Sequence, residues 1–136
     1  MCVGAGLLLL GATACGSDRD DAVGGTTLPT DTAVVETYPA SGATDSVVAI
    51  DNNFLPQTLT VVAGTEVVFT NNGRNAHNLV PADDPEATTW GVLETGFQPK
   101  STYSRVFTTP GTYIYYCTIH GSPKAGMVGT IVVTAP

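Results

Sequence analysis

The sequence predicts an all-β domain over residues 45–136, an antiparallel sandwich or barrel of seven or eight strands. Three observations carry the prediction. Short β-prone runs recur at close, regular spacing and are separated by turn residues. No window shows the 3.6-residue apolar period of a helix. Aromatic and β-branched side chains are abundant past residue 45, enough to build one packed core.

The first run is Ser46–Ile50, followed by the turn-like Asp51-Asn52-Asn53. Thr58–Val62 alternates and stops at Ala63-Gly64; Glu66–Thr70 stops at Asn71-Asn72-Gly73. His77–Val80 reads as a short run. Residues 81–101 read as a long connection with room for one short strand near Thr89–Leu93, and Trp90 within it reads as core or sandwich-edge packing. Tyr103–Phe107 follows, then the Pro110-Gly111 turn, Thr112–Cys117 and Val128–Val133.

What precedes residue 45 has a different composition. Val3–Ala14 is uncharged and rich in Leu, Ala and Gly, and at about a dozen residues it is shorter than the roughly 20 that span a bilayer. It matches the apolar region of an export signal. Gly11-Ala12-Thr13-Ala14-Cys15-Gly16-Ser17 resembles a bacterial lipobox, with Cys15 as the lipidated residue and Ala12 where Leu is usual. Plain signal cleavage is the alternative. From Gly16 to Thr44 the composition shifts toward Gly, Thr, Ser, Asp and Pro, with five carboxylates against Arg19. Few large apolar groups offset the entropy of ordering, which predicts a flexible tether. The expected layout is therefore an export segment at 1–15, an acidic polar linker at 16–44 and a folded domain at 45–136. An exported protein at a bacterial surface or in a periplasm follows, attached to a membrane through its N-terminal lipid.

Twelve Asp and Glu against five Lys and Arg give a formal charge of −7. That balance argues against nucleic acid, whose phosphates need a cationic footprint. Of three cysteines, Cys2 and Cys15 fall in the apolar segment, so cleavage at Cys15 leaves Cys117 as one thiol without a disulfide partner. A lone thiol in an exported domain is explained by metal ligation.

The chemistry-bearing residues cluster at the end of the chain. Cys117 ends a strand, His120 follows after two residues, and Met127 opens the next strand. His77, the other of the chain's two histidines, begins a β-run after the turn-rich 71–75 and presents its ring from a neighbouring strand end. One thiol, two imidazoles and a thioether are the donor set of a mononuclear blue-copper site. Structural zinc asks for four strong ligands, and thioether is a poor one for it. Residues 115–127 hold no Asp or Glu, so a carboxylate-assisted catalytic site is not indicated. Thiolate and thioether suit Cu(I), imidazole suits both copper states, and the mixture serves a Cu(I)/Cu(II) couple.

These motifs resemble the cupredoxins, particularly the plastocyanin, pseudoazurin and amicyanin group. The resemblance rests on Phe54-Leu55-Pro56, Gly64, Val67, Asn71-Asn72 and His77-Asn78-Leu79-Val80, then on Gly111-Thr112-Tyr113, Tyr115, Cys117, His120, Gly126-Met127 and Gly129. It implies a Greek-key β-sandwich that binds one copper ion. His77, Cys117 and His120 would form the trigonal plane, with Met127 on the axis. It also implies that Asn78 ties the two ligand loops together with Thr118 as partner. Six residues separate His120 from Met127, more than in those relatives, which leaves the length of the axial bond open.

The function implied is carriage of single electrons between a donor and an acceptor redox protein, by a monomer, with the ring edge of His120 as the port. No enzyme is expected, because related copper enzymes need further histidine clusters. The alternative is an extracytoplasmic copper chaperone or store; the single internal Met speaks against it. The acidic Asp83-Asp84-x-Glu86 reads as a solvated loop or, less simply, as a steering patch for a cationic partner.

Overall fold

The computed structural model describes residues 34–136. The proposed export segment, Cys15 and the linker up to residue 33 lie outside the described residues.

Alternation of buried and exposed side chains builds the domain. In chain order the strands are β1 (Thr44–Ile50), β2 (Asn53–Leu55), β3 (Thr58–Val62), β4 (Thr65–Asn71), β5 (Val80–Pro81), β6 (Thr102–Phe107), β7 (Gly111–Ser122) and β8 (Ala125–Thr134). Along β4, Thr65, Val67, Phe69 and Asn71 are buried and the residues between them are not, the two-residue period of a strand with one face on a core. β8 repeats it with Met127, Gly129, Ile131 and Val133. The strands form two four-stranded sheets, in the orders β2-β1-β4-β6 and β3-β8-β7-β5. The expected all-β sandwich is thus the fold.

Four of the six ladders are antiparallel; β1 with β4 and β3 with β8 run parallel. The chain spends β3 in the opposite sheet before returning as β4 beside β1. Side-chain alternation marks which face of a strand is buried and carries no information about its neighbour's direction.

Three local differences from the sequence expectation have simple causes. Asn53 leaves the expected turn and pairs with Ile50, because Asp51 takes a positive φ of 48° and closes a two-residue hairpin. Of the 77–80 run only Val80 joins a ladder, with Pro81 after it, while Leu79 bridges Val92 in the expected Thr89–Leu93 region. β7 continues five residues past Cys117, to Ser122.

The hydrogen-bonded domain also reaches back before residue 45. The Tyr38 N–H donates to the Thr108 carbonyl at 2.7 Å and the Ser41 N–H to that of Gly64 at 2.9 Å. The Tyr38 side chain packs against the core, whereas Val34 and Val35 stay exposed.

Aromatic rings fill the space between the sheets. Tyr115 meets Phe54 and Phe69 edge-on at centroid distances of 4.8 and 5.4 Å, geometry that favours the ring quadrupoles. Burying each such ring contributes about 1.5–3 kcal/mol. Across the ladder Tyr115 pairs with Gly129, where a Cβ would overlap the phenol ring, so glycine leaves the ring its place. Trp90 is buried against Phe107, Tyr113 and Tyr115, with the Arg105 guanidinium 5.4 Å from its ring centroid. Among the described residues no helix is long and apolar enough to cross a membrane.

Candidate metal centre

The ladder between β7 and β8 sets the position of two of the predicted ligands. Tyr116 pairs with Val128, but the next rung joins Gly121 to Gly126. Cys117, Thr118, Ile119 and His120 therefore stand opposite Met127 alone, a bulge that re-aims the strand. Its two ends carry Cys117 and His120. Beyond it, Gly121–Gly126 and Ser122–Ala125 close a hairpin whose tip is Pro123-Lys124. The six residues between His120 and Met127 are taken up by this tip, and Met127 remains facing the bulge.

His77 arrives from the loop after β4. Buried Asn71 holds that loop: its amide donates to the carbonyls of Asn75 and Phe97, each at 2.9 Å, and its side-chain oxygen accepts from the Gly73 N–H at 3.0 Å. The His77 N–H donates to the Phe97 carbonyl at 3.2 Å. Asn71 was legible in the sequence as part of a turn and of the family resemblance, not as this brace. The part of Phe97 is played by a carbonyl, for which residue type gives no signal.

Three donor atoms converge. His77 Nδ1 and His120 Nδ1 are 3.1 Å apart, and Cys117 Sγ is 3.8 Å from the first and 3.6 Å from the second. A point equidistant from the three lies about 2.0 Å from each, the length of a first-row metal bond to nitrogen. Cys117 and His77 are fully buried, and His120 is partly exposed. Met127 is fully buried in the same core cluster as Cys117. Burial first, and the neighbouring His120 second, lower the His77 pKa below the ordinary imidazole value, with Asp51 opposing. A neutral imidazole is the form that binds a metal. Burial, donor spacing and a soft sulfur beside two imidazoles fit a copper ion.

Asn78 and Thr118 join the two loops. The Asn78 amide donates to Thr118 Oγ1 at 2.7 Å, and the Thr118 N–H donates to Asn78 Oδ1 at 2.8 Å. The predicted residues His77, Asn78, Cys117, Thr118, His120 and Met127 thus gather at one end of the sandwich. The acidic run lies elsewhere. Pro81 and Ala82 bond toward Tyr115 and Ile114, leading Asp83, Asp84 and Glu86 toward the Gly111 end of β7.

Comparison with known proteins agrees with this geometry. Residues 43–134 match the family described as copper binding proteins, plastocyanin/azurin family. A plastocyanin of Prochlorothrix hollandica is 36% identical over 110 residues, covering 75% of this chain and 82% of its own. Among solved structures, a mutant amicyanin in its reduced state aligns with a TM-score of 0.54 and 28% identity over 70% of this chain and 85% of that one. The copper-containing nitrite reductase of Thermus scotoductus aligns with a TM-score of 0.55 and 27% identity, over 75% of this chain but 24% of its own. With the fold, the donor cluster and the family match together, the chain belongs to the plastocyanin/azurin family of copper-binding proteins, and its cofactor is one copper ion.

Proposed function

We propose that the protein is a type 1 copper electron carrier in which His77, Cys117 and His120 ligate in the plane and Met127 on the axis. The observation that carries this reading is the bulge of β7. It sets a thiol and an imidazole at its two ends, opposite the one thioether among the described residues, and His77 closes the triangle from the next loop. Copper, when bound, supplies a one-electron couple. The protein's part is to hold the donors in one arrangement for both oxidation states, so that little reorganises as the electron moves. The Asn78–Thr118 pair and the Asn71 brace serve that purpose.

The port is His120, the partly exposed member of the cluster, flanked by Ile119 at 46% exposure. Its partners are a donor and an acceptor redox protein, met by a monomer outside the cytoplasm. The proposed layout is an export segment at 1–15 with lipidated Cys15, a linker at 16–44 and the copper domain from 45, with Tyr38 and Ser41 of the linker hydrogen-bonded to that domain. Loss of labelled palmitate on Cys15→Ala would support the anchor, and unchanged labelling would remove it.

The copper reading has a direct test. Cu(II) added to the protein should give an intense blue colour from thiolate-to-copper charge transfer, and Cys117→Ser should abolish it. A colourless Cu(II) complex would sink the proposal. Irreversible passage of copper to an acceptor apoprotein, with slow electron exchange, would favour a chaperone instead.

A further inference from the structure

Charge on the domain is divided between its two ends. The ligand end comprises the Asp51-Asn52 turn, the 71–79 loop, residues 94–100 and the β7–β8 tip. Gly73 abuts the Asp51 backbone, and Lys100 N–H donates to the Asn71 carbonyl at 2.7 Å, so these loops form one surface. It bears exposed Arg74, Lys100 and Lys124 against Asp51 and Glu94. The remainder of the described domain bears Arg105 against Glu36, Asp45, Glu66, Asp83, Asp84 and Glu86. Three of the four cations among the described residues thus lie on the ligand end of a chain whose formal charge is −7.

The two populations are also employed differently. Arg105 lies over Trp90 and donates to the Thr89 carbonyl, and Asp84 accepts from the Thr88 and Thr89 hydroxyls and the Thr89 N–H. Their charges are committed to internal structure. Arg74 sits exposed in the loop that brings His77, and Lys124 at the exposed tip of the hairpin after His120, with Ile119 and Leu93 exposed on the same end. An apolar centre with a charged rim is the anatomy of a transient docking face.

We propose that the ligand end docks a redox protein bearing carboxylates around its own electron port. The inference rests on the electron-carrier reading. Surface fields act mainly on encounter rate and orientation, so the effect belongs in association kinetics. It also replaces the acidic Asp83–Glu86 run as the steering element.

The test uses the reduced, copper-loaded full chain and two small oxidants, anionic ferricyanide and cationic tris(phenanthroline)cobalt(III). In the first reaction one electron leaves the protein and ferricyanide becomes ferrocyanide, with no proton moved. The ferricyanide rate should fall as ionic strength rises from about 0.01 to about 0.3 M, the range over which screening shortens to within a protein radius. Arg74→Glu with Lys124→Glu should slow it about tenfold at low salt and reverse the slope. Asp83→Asn with Glu86→Gln should leave it unchanged. A wild-type ferricyanide rate that rises with salt, as net charge alone requires, would overturn the proposal. Failure to exchange electrons with either oxidant would sink the carrier reading instead. Sedimentation with phosphatidylglycerol vesicles should be equal for wild type and the Arg74/Lys124 double variant; preferential binding of wild type would give the face to a membrane and overturn the protein partner.

Discussion

Asn78 and Thr118 each donate one hydrogen bond to the other, at 2.7 and 2.8 Å, and so lock the His77 loop to the bulge of β7. Both contacts bridge forty residues of sequence. Asn78→Ala removes the acceptor for a partly buried backbone N–H and the partner of a hydroxyl. It should cost about 1–3 kcal/mol, read as a fall in Tm of about 10 °C. Thr118→Ser keeps the pair and should cost little; equal losses in the two variants would show that the pair does not matter.

Asn71→Ala should be more damaging. Three hydrogen bonds leave with it, and the Asn75 and Phe97 carbonyls lose a donor. The expected loss is about 2–4 kcal/mol, together with a roughly 10- to 100-fold weaker copper affinity as the His77 loop loosens. Copper titration and thermal unfolding measure the two effects separately.

Gly121 and Gly126 hold the hairpin that keeps Met127 opposite the bulge. A Cβ on Gly121 would lie 2.5 Å from the Met127 nitrogen, and Gly126 has a φ of +79°. Gly121→Ala should therefore shift the blue absorption and the reduction potential as Met127→Gln does. A spectrum unchanged by both substitutions would remove Met127 from the copper.

Tyr115 carries a buried hydroxyl without a hydrogen-bond partner among the described residues. Burial pushes its pKa up, so the phenol stays protonated across the working range. Tyr115→Phe keeps the ring contacts and deletes the orphaned group, which should raise stability by about 1 kcal/mol in denaturant unfolding. A loss of similar size would show that the hydroxyl is satisfied in solution.

Hydrogen bonds from Thr89 and Thr88 lower the Asp84 carboxyl to a pKa of about 2. A depressed pKa contributes order above the ordinary carboxylate value and loses it as pH falls through about 2. The Thr89 amide should keep its exchange protection at about pH 4 and lose it near pH 2, or at any pH in Asp84→Asn. Equal protection of Thr89 in wild type and variant at neutral pH would contradict this.

The elements legible in the sequence were those with a repeating signal. Recurring β-prone runs between turn residues exposed β1, β3, β4, β6 and the body of β7 and β8, and the Cys117–His120 spacing exposed the donors. What escaped was set by partners distant in sequence. The parallel pairing of β1 with β4, the Asn71 brace onto Phe97 and the Tyr38 contact with Thr108 each join segments far apart along the chain. The hairpin tip escaped for another reason. Ser122 and Ala125 have no β-type pattern of their own and pair because the turn between them closes.

That tip separates two properties that one loop would otherwise confound. Its last rungs, Gly121–Gly126 and Ser122–Ala125, isolate Pro123 and Lys124 from the donor atoms, so residues there are exchangeable without disturbing the coordination geometry. On the proposed reading, a change at Lys124 would alter which molecules the protein meets, and a change at Met127 how readily it parts with its electron. The two traits can evolve independently on a single hairpin.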